Sequence, residues 1–189
     1  MPFNHLLSPG FRKQIENRVI VPIVGPTSVG KTSLMRKVVE LDSDFNRSTG
    51  FTTRPRRKDE LIDSYRFLEH TQKQRKQIMD QITTGNILQF AVHPTGYLYG
   101  TNFDDYKGKY NLIDVLSSEV INFQALGFME CKTIMVVTSP EVWQARFELR
   151  NFSIEESLKR VNEGIESLEW AFKQNENLCW LENSQNIIE

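Results

Sequence analysis

The sequence predicts an α/β fold with a parallel, doubly wound sheet, and three observations carry that prediction. The apolar run Val19-Ile20-Val21-Pro22-Ile23-Val24 leads through a glycine-bounded loop, Gly25-Pro26-Thr27-Ser28-Val29-Gly30-Lys31-Thr32, into the helical pattern of Ser33 to Glu40. Two more apolar runs, Asn111-Leu112-Ile113-Asp114 and Cys131-Lys132-Thr133-Ile134-Met135-Val136-Val137, read as strands buried on both faces. Helical stretches alternate with these runs, the order from which parallel sheets with helices on both faces are built. With 189 residues the chain supports one sizeable core carrying small insertions.

In chain order, residues 1–18 read as an extension, broken at Pro9-Gly10, with a short polar helix over Phe11 to Asn17. The helix after the glycine loop runs to Leu41, and Asp42-Ser43-Asp44 ends it. Ser48 to Thr53 reads as a strand, after which Pro55 forces an extended or turn geometry that displays Arg54, Arg56 and Arg57 together. A short strand, Tyr65-Arg66-Phe67-Leu68, precedes a charged helix from Thr71 to Thr84 that Gly85 terminates. Asn86 to Thr101 forms two short strands joined by the turn Pro94-Thr95-Gly96. The mixed strands between Gly50 and Thr101 therefore read as inserted into the parallel sheet. A helix over Ser118 to Leu126 follows the Asp114 strand, and Pro140 opens the next one after Val137. Ser153-Ile154-Glu155-Glu156 resembles a capping box and starts a long helix through Phe172, with a last strand over Asn177 to Leu181.

Composition narrows the function. The 23 Lys and Arg nearly balance the 24 Asp and Glu, so no global field recruits nucleic acid or a membrane surface. Cys131 and Cys179 lack metal-ligand spacing and read as small buried hydrophobes in a reducing cytoplasm. No run is long and apolar enough to cross a bilayer, which predicts a cytoplasmic protein.

The chemistry concentrates in the glycine loop. Strand, loop and helix in that order make the setting of a P-loop NTPase: glycines let successive N–H groups face phosphate oxygens, and the helix N-terminus adds positive charge. Lys31 would reach the outer phosphates, and the Thr32 hydroxyl would ligate the magnesium that bridges them. A plain glycine-rich turn is the alternative. Asp114, ending its strand, reads either as a second magnesium contact or as a cap for the helix that follows. The arginines around Pro55 suit phosphate because each planar fork donates two parallel bonds, although a solvated basic loop fits the same pattern. Arg146 and Arg150, at i and i+4, share a helical face, and Arg160 lies on the next helix. Together they read as a closing set over a nucleotide or as ordinary surface charge.

With these stretches in place, residues 18–184 resemble the guanylate kinases. The glycine loop, the block Thr52-Thr53-Arg54-Pro55-Arg56-Arg57 with Glu60, Tyr65-Arg66-Phe67, Tyr99-Gly100-Thr101, and Asp114 carry the likeness. It implies a P-loop core at 19–47 and 104–189, an inserted monophosphate-binding module at 48–103, and a helical lid at 147–157. By this resemblance Gly25, Thr27, Ser28, Val29, Gly30, Lys31, Thr32 and Ser33 would bind ATP, with Thr32 and Asp114 at the magnesium. Gly50, Arg54, Arg57, Tyr65, Gln89, Tyr99 and Thr101 would bind the acceptor, and Lys31, Arg146, Arg150 and Arg160 would stabilise the moving phosphoryl group. The implied partners are ATP and a small phosphorylated acceptor, without nucleic acid or membrane, in a monomer or homodimer.

Departures cluster where that family reads guanine. Gln89 replaces a glutamate that accepts from the base, Leu116 replaces a second acid, and Gly50 replaces a phosphate-contacting serine. An amide offers one acceptor and one donor where a carboxylate offers two acceptors, so guanine reading is expected to be weakened. The spacing His93-x-x-Gly96-x-x-Tyr99-Gly100 resembles the ribose 1,5-bisphosphate phosphokinases, a second enzymatic alternative, in which His93 reads more readily as structural than catalytic. A non-catalytic guanylate-kinase-like binding module is a third. Only Asn183 to Glu189 follow the last expected strand, where that family commonly adds a helix, and the extension around Phe11 to Asn17 is expected to cover the same sheet surface.

Overall fold

A computed structural model describes residues 13–57, 60, 62–93, 96–174 and 178–184. Its strands are β1 (Val19–Val24), β2 (Phe45–Arg47), β3 (Phe51–Thr52), β4 (Arg66–Phe67), β5 (Ile87–Val92), β6 (Leu98–Asn102), β7 (Tyr110–Asp114), β8 (Glu130–Cys131), β9 (Thr133–Val137) and β10 (Leu178–Glu182). Its helices are α1 (Lys31–Leu41), α2 (Gln72–Thr83), α3 (Val120–Gln124), α4 (Pro140–Glu148) and α5 (Ile154–Phe172). The large sheet runs β10-β9-β1-β7-β2, with β8 beside β1, and every pair in it is parallel. The chain steps from β1 past β7 to β2, then returns through β7 to β9 on the other side of β1. Strand order therefore reverses around β1, and in such sheets the crevice at the carboxyl ends of the strands at that point is where ligands bind.

The apolar run of β1 is buried throughout because the sheet is covered on both faces. Val19, Val21 and Ile23 pack with Met35 of α1, Leu112 and Val136. On the alternate positions Ile20 packs with Ile15, Ile113 and Phe123, while Val24 packs with Val120, Met135 and Ala171. A second sheet, β4-β3-β6-β5, mixes parallel and antiparallel pairs, and α2 covers it with Ile78 and Ile82 against Phe51, Ile87 and Leu98. Thr71 caps α2 by accepting from the Gln74 amide, and Gly85 (φ 74°) turns the chain out of it.

Several boundaries differ from expectation. The strand predicted over Ser48 to Thr53 is divided between sheets: the Ser48 amide still donates to Leu112 of the large sheet, whereas the Gly50 carbonyl accepts from Arg66 of the small one. β2 precedes that switch and escaped the sequence pattern because it is three residues long and only half-buried. The Cys131 run splits into β8 and β9, and the helix expected from Ser118 opens as a 3-10 turn over Ser117–Glu119. Cys131 is half-buried against the core, but Cys179 is exposed, because β10 is an edge strand and largely uncovered. No helix among the described residues is long and apolar enough to cross a membrane.

Of the N-terminal extension, residues 1–12 lie outside the described residues. Residues 13–15 form a helical turn, and Ile15 is fully buried against Ile20, Ile113 and Phe123. Part of the extension thus closes one face of the parallel sheet. Replacing Ile15 by Ala is expected to lower unfolding free energy by about 2–5 kcal/mol, measured by denaturant titration. The neighbouring exposed Glu16→Ala is expected to change it by less than about 0.5 kcal/mol.

Candidate functional site

The loop after β1 is shaped by close approach to β9. Gly25 has φ 140°, and a Cβ there would lie 2.3 Å from the Val136 carbonyl oxygen, so only glycine fits. Gly30, at φ 96°, opens α1, whose first turn holds no acidic residue to oppose the helix's positive end. The loop is also held from outside: Trp143 Nε1 donates to the Thr27 carbonyl at 2.8 Å, and Asn183 Nδ2 donates to the Val29 carbonyl at 2.8 Å. Lys31 Nζ donates to the Gly25 and Pro26 carbonyls at 2.7 and 3.1 Å and stands 3.8 Å from Asp114 Oδ1. Burial raises the Asp114 carboxyl above its ordinary range, with Lys31 opposing the shift.

One cleft of about 460 Å³ joins this loop to the second sheet. It is lined by Gly25, Thr27, Ser28, Gly30, Lys31, Thr32 and Ser33 on the loop side, and by Gly50, Arg54, Arg57, Tyr65, Gln89, Tyr99 and Thr101 on the other. Asp114, Arg150 and Arg160 complete it. The residues fit a hydrated magnesium ion. Thr32 and Asp114 bring hard oxygen donors to the loop, and Ser28 Oγ is buried there without a partner. Among the described residues no cluster of three or more His, Cys, Asp or Glu is placed to hold a metal by itself.

On the opposite wall Arg54 is heavily committed within the protein. Its Nη atoms donate to both Glu60 oxygens at 2.7 and 2.5 Å, Nη1 also reaches the Pro55 carbonyl, and Nε donates to the Tyr99 hydroxyl at 3.1 Å. A guanidinium has five N–H donors, so little of Arg54 remains for a ligand. Arg57 differs: its side chain is 39% exposed, stands 3.9 Å from Glu156 and lies over the Phe152 ring. Burial lowers the Arg57 guanidinium from its ordinary range, and Arg54 and Arg160 push it the same way. An anion placed among them relieves that repulsion. Burial would raise the Glu60 carboxyl, but hydrogen bonds from Arg54 and the Arg57 amide outweigh it and hold it below its ordinary value.

Of the three arginines expected to act together, the structure separates one. α4 ends at Glu148, and Asn151 turns through φ 48°, so Arg146 and Arg150 do not share a helical face. Arg146 reaches the Val29 and Asn183 carbonyls at 3.3 and 3.5 Å, behind the loop, and does not line the cleft. Val29 likewise turns its side chain into the core. Arg160 bonds Glu163 and Glu156 at 3.0 and 3.4 Å, and Glu163 meets His93 Nε2 at 3.1 Å, so His93 ties the second sheet to α5. Sequence reasoning missed Arg47, Glu119 and Glu163, all on the cleft wall. Arg47 sits on the unpredicted β2, and Glu119 and Glu163 belong to no motif.

At the far end, Gln89 Nε2 donates to Glu119 Oε2 at 3.2 Å beside Thr101 and Leu116. Gly50 has a packing reason: a Cβ there would lie 2.5 Å from the Gly100 carbonyl oxygen and 3.2 Å from the Thr101 methyl.

A glycine-bounded loop opening a helix at the reversal point of a parallel sheet is the arrangement of a P-loop NTPase fold. No family model matches the chain. It is 31% identical over 86 residues to a guanylate kinase of Oceanobacillus iheyensis, covering 46% of this chain and 39% of that one. It is 37% identical over 82 residues to one of Nitrosomonas europaea (42% and 37%), and 46% identical over 44 residues to one of Syntrophotalea carbinolica (23% and 21%). These matches span between a fifth and two-fifths of the curated relatives. The fold is that of the guanylate kinase of Anaplasma phagocytophilum, with TM-score 0.57 and 17% identity over 90% of this chain and 78% of the other. The chain is thus similar to guanylate kinases over part of its sequence and in its fold.

Restoring serine at position 50 is expected to destabilise the fold by about 1–3 kcal/mol through overpacking, read as a lower melting temperature. The Glu60 interaction is expected to be complete above the ordinary carboxyl value of 4.5 and lost as the pH falls through the lower folded value. Acid titration of stability should therefore show a loss in this window that Glu60→Gln flattens.

Proposed function

We propose that this chain is an ATP-dependent kinase that transfers a phosphoryl group to a nucleoside monophosphate, with GMP the best-supported acceptor. The observation that carries this reading is the single cleft in which Lys31 and Thr32 face Arg57, Tyr65 and Tyr99. Segment 48–103 then serves as the acceptor module and 147–157 as the lid. Arg57, with the Tyr65 and Tyr99 hydroxyls, grips the acceptor phosphate, and Arg54 holds Tyr99 and Glu60 in place for that task. The loop amides and Lys31 cradle the donor phosphates, while Arg150 and Arg160 approach from the lid side. Thr32 and Asp114 would hold magnesium, which when bound neutralises charge on the donor phosphates. No residue is required as a general base, because alignment and cationic charge around the moving group carry most of the acceleration. Arg146 acts through the loop that it braces.

A second reading, a sugar bisphosphate acceptor, draws on one observation. An adjoining pocket of about 330 Å³ brings Lys159 beside Arg57 and Arg160, with Glu155 and Glu156 as their present partners, so a second phosphate would enter there by displacing those carboxylates. Coupled ADP release with ATP and magnesium, run against GMP, dGMP, AMP, CMP, UMP and ribose 1,5-bisphosphate, separates the readings. GMP turnover is expected, with Lys31→Ala lowering kcat at least about 10²-fold. Turnover of the bisphosphate alone transfers the assignment to the sugar kinase, and silence on every acceptor favours a binding module.

A further inference from the structure

We propose that Glu119, a carboxylate outside the family's pattern, reads the acceptor base, and that Gln89 is its positioning partner rather than a weakened base contact. The inference rests on the nucleotide-kinase reading of the same cleft. Gln89 is buried on β5, directly across from Thr101 on β6, and its Nε2 donates to Glu119 Oε2 at 3.2 Å. Asn122 Nδ2 donates to the same oxygen at 2.7 Å. Both bonds converge on one oxygen. Among the described residues nothing donates to Glu119 Oε1 or to Gln89 Oε1, and no Lys or Arg pairs with Glu119. The cleft thus holds a half-buried carboxylate without a counter-charge beside a second acceptor of the same kind.

Two neighbouring acceptors select a base edge with two neighbouring N–H donors. Guanine presents that edge at N1 and N2. Adenine and cytosine place a ring-nitrogen acceptor next to their amine, and uracil flanks its single N–H with carbonyls, so each would leave one protein oxygen facing another acceptor. Thr101 supports the same choice. Its Oγ1 accepts from the Tyr106 hydroxyl at 2.6 Å, which leaves its own O–H to donate to a carbonyl such as guanine O6. The amide at position 89 also has a reason: a glutamate there would set two carboxylates against each other at this distance, at a cost in charge repulsion. The base-reading carboxylate has moved from β5 to the turn after β7, and Gln89 is the change that accommodates it.

The test is calorimetric binding of GMP, IMP (which lacks the N2 amine) and AMP to the full chain, with KM for ATP as control. The wild type, Glu119→Gln, Gln89→Glu and the exchange Gln89→Glu/Glu119→Gln are compared. GMP is expected to bind more tightly than IMP, and IMP more tightly than AMP. Glu119→Gln and Gln89→Glu are each expected to weaken GMP about 10-fold or more with KM for ATP unchanged, since a charge-assisted bond is lost or opposed. The exchange is expected to recover GMP binding to within about threefold, which a merely misfolded single variant would not allow. GMP binding within about threefold of wild type in both single variants, or no GMP binding by the wild type, overturns the proposal. If GMP is phosphorylated while both variants bind it normally, the kinase reading stands and only this proposal fails. If no acceptor is phosphorylated while Glu119→Gln still weakens GMP, the base site stands and the kinase reading fails.

Discussion

The closeness of Gly25 to the Val136 carbonyl sets the position of everything around it. With 2.3 Å available to a Cβ, the backbone itself is the contact surface, and β1 and β9 can run side by side while the loop curls between their ends. Elements that follow β9 then close on the loop from outside. α4 contributes the Trp143 donor, α5 brings Gly164 so near that a Cβ would lie 3.2 Å from Pro26, and Asn183 just beyond β10 bonds the Val29 carbonyl. Trp143 and Asn183 fix the Thr27 and Val29 carbonyls, while Lys31 holds those of Gly25 and Pro26, so the loop backbone is braced from both sides. Preorganisation of this kind avoids reorientation when charge moves.

The arginines illustrate how burial assigns different tasks to identical side chains. Arg54 is nearly enclosed and survives there because Glu60 answers its charge with two short bonds. A buried guanidinium without that partner would be costly, so this pair is a foundation and less a ligand contact. Arg57 keeps a partly open side chain, set between the like-charged Arg54 and Arg160 and the carboxylates of Glu60 and Glu156. Arg160 is balanced by Glu156 and Glu163, and through Glu163 it is linked to His93 of the second sheet. The same ion pairs that steady α5 therefore connect the two walls of the cleft.

Much of this was legible in the chain. The strand–loop–helix sequence placed β1 to the residue and the start of α1 within two residues, because local periodicity and glycine spacing act over a few positions. The capping signal at Ser153 acted equally locally, its hydroxyl accepting from the Glu156 amide. β2 was invisible because its pairing depends on β7, more than sixty residues later, and not on its own apolarity. The shared face of Arg146 and Arg150 failed for a related reason: periodicity says nothing of where a helix stops when a left-handed Asn151 ends it.

From the sequence by itself, fold class and the glycine loop were readable in short, chemically demanding spacings, which also picked out the arginines and tyrosines that line the cleft. Only the tertiary structure decided which of those groups face a ligand and which support their neighbours. It also brought Gln89 to Glu119, thirty residues away in the chain, and pressed Gly50 onto Gly100. Such contacts are set by how strands cross and how closely backbones pack, and neither quantity is written in the spacing of residues along a chain.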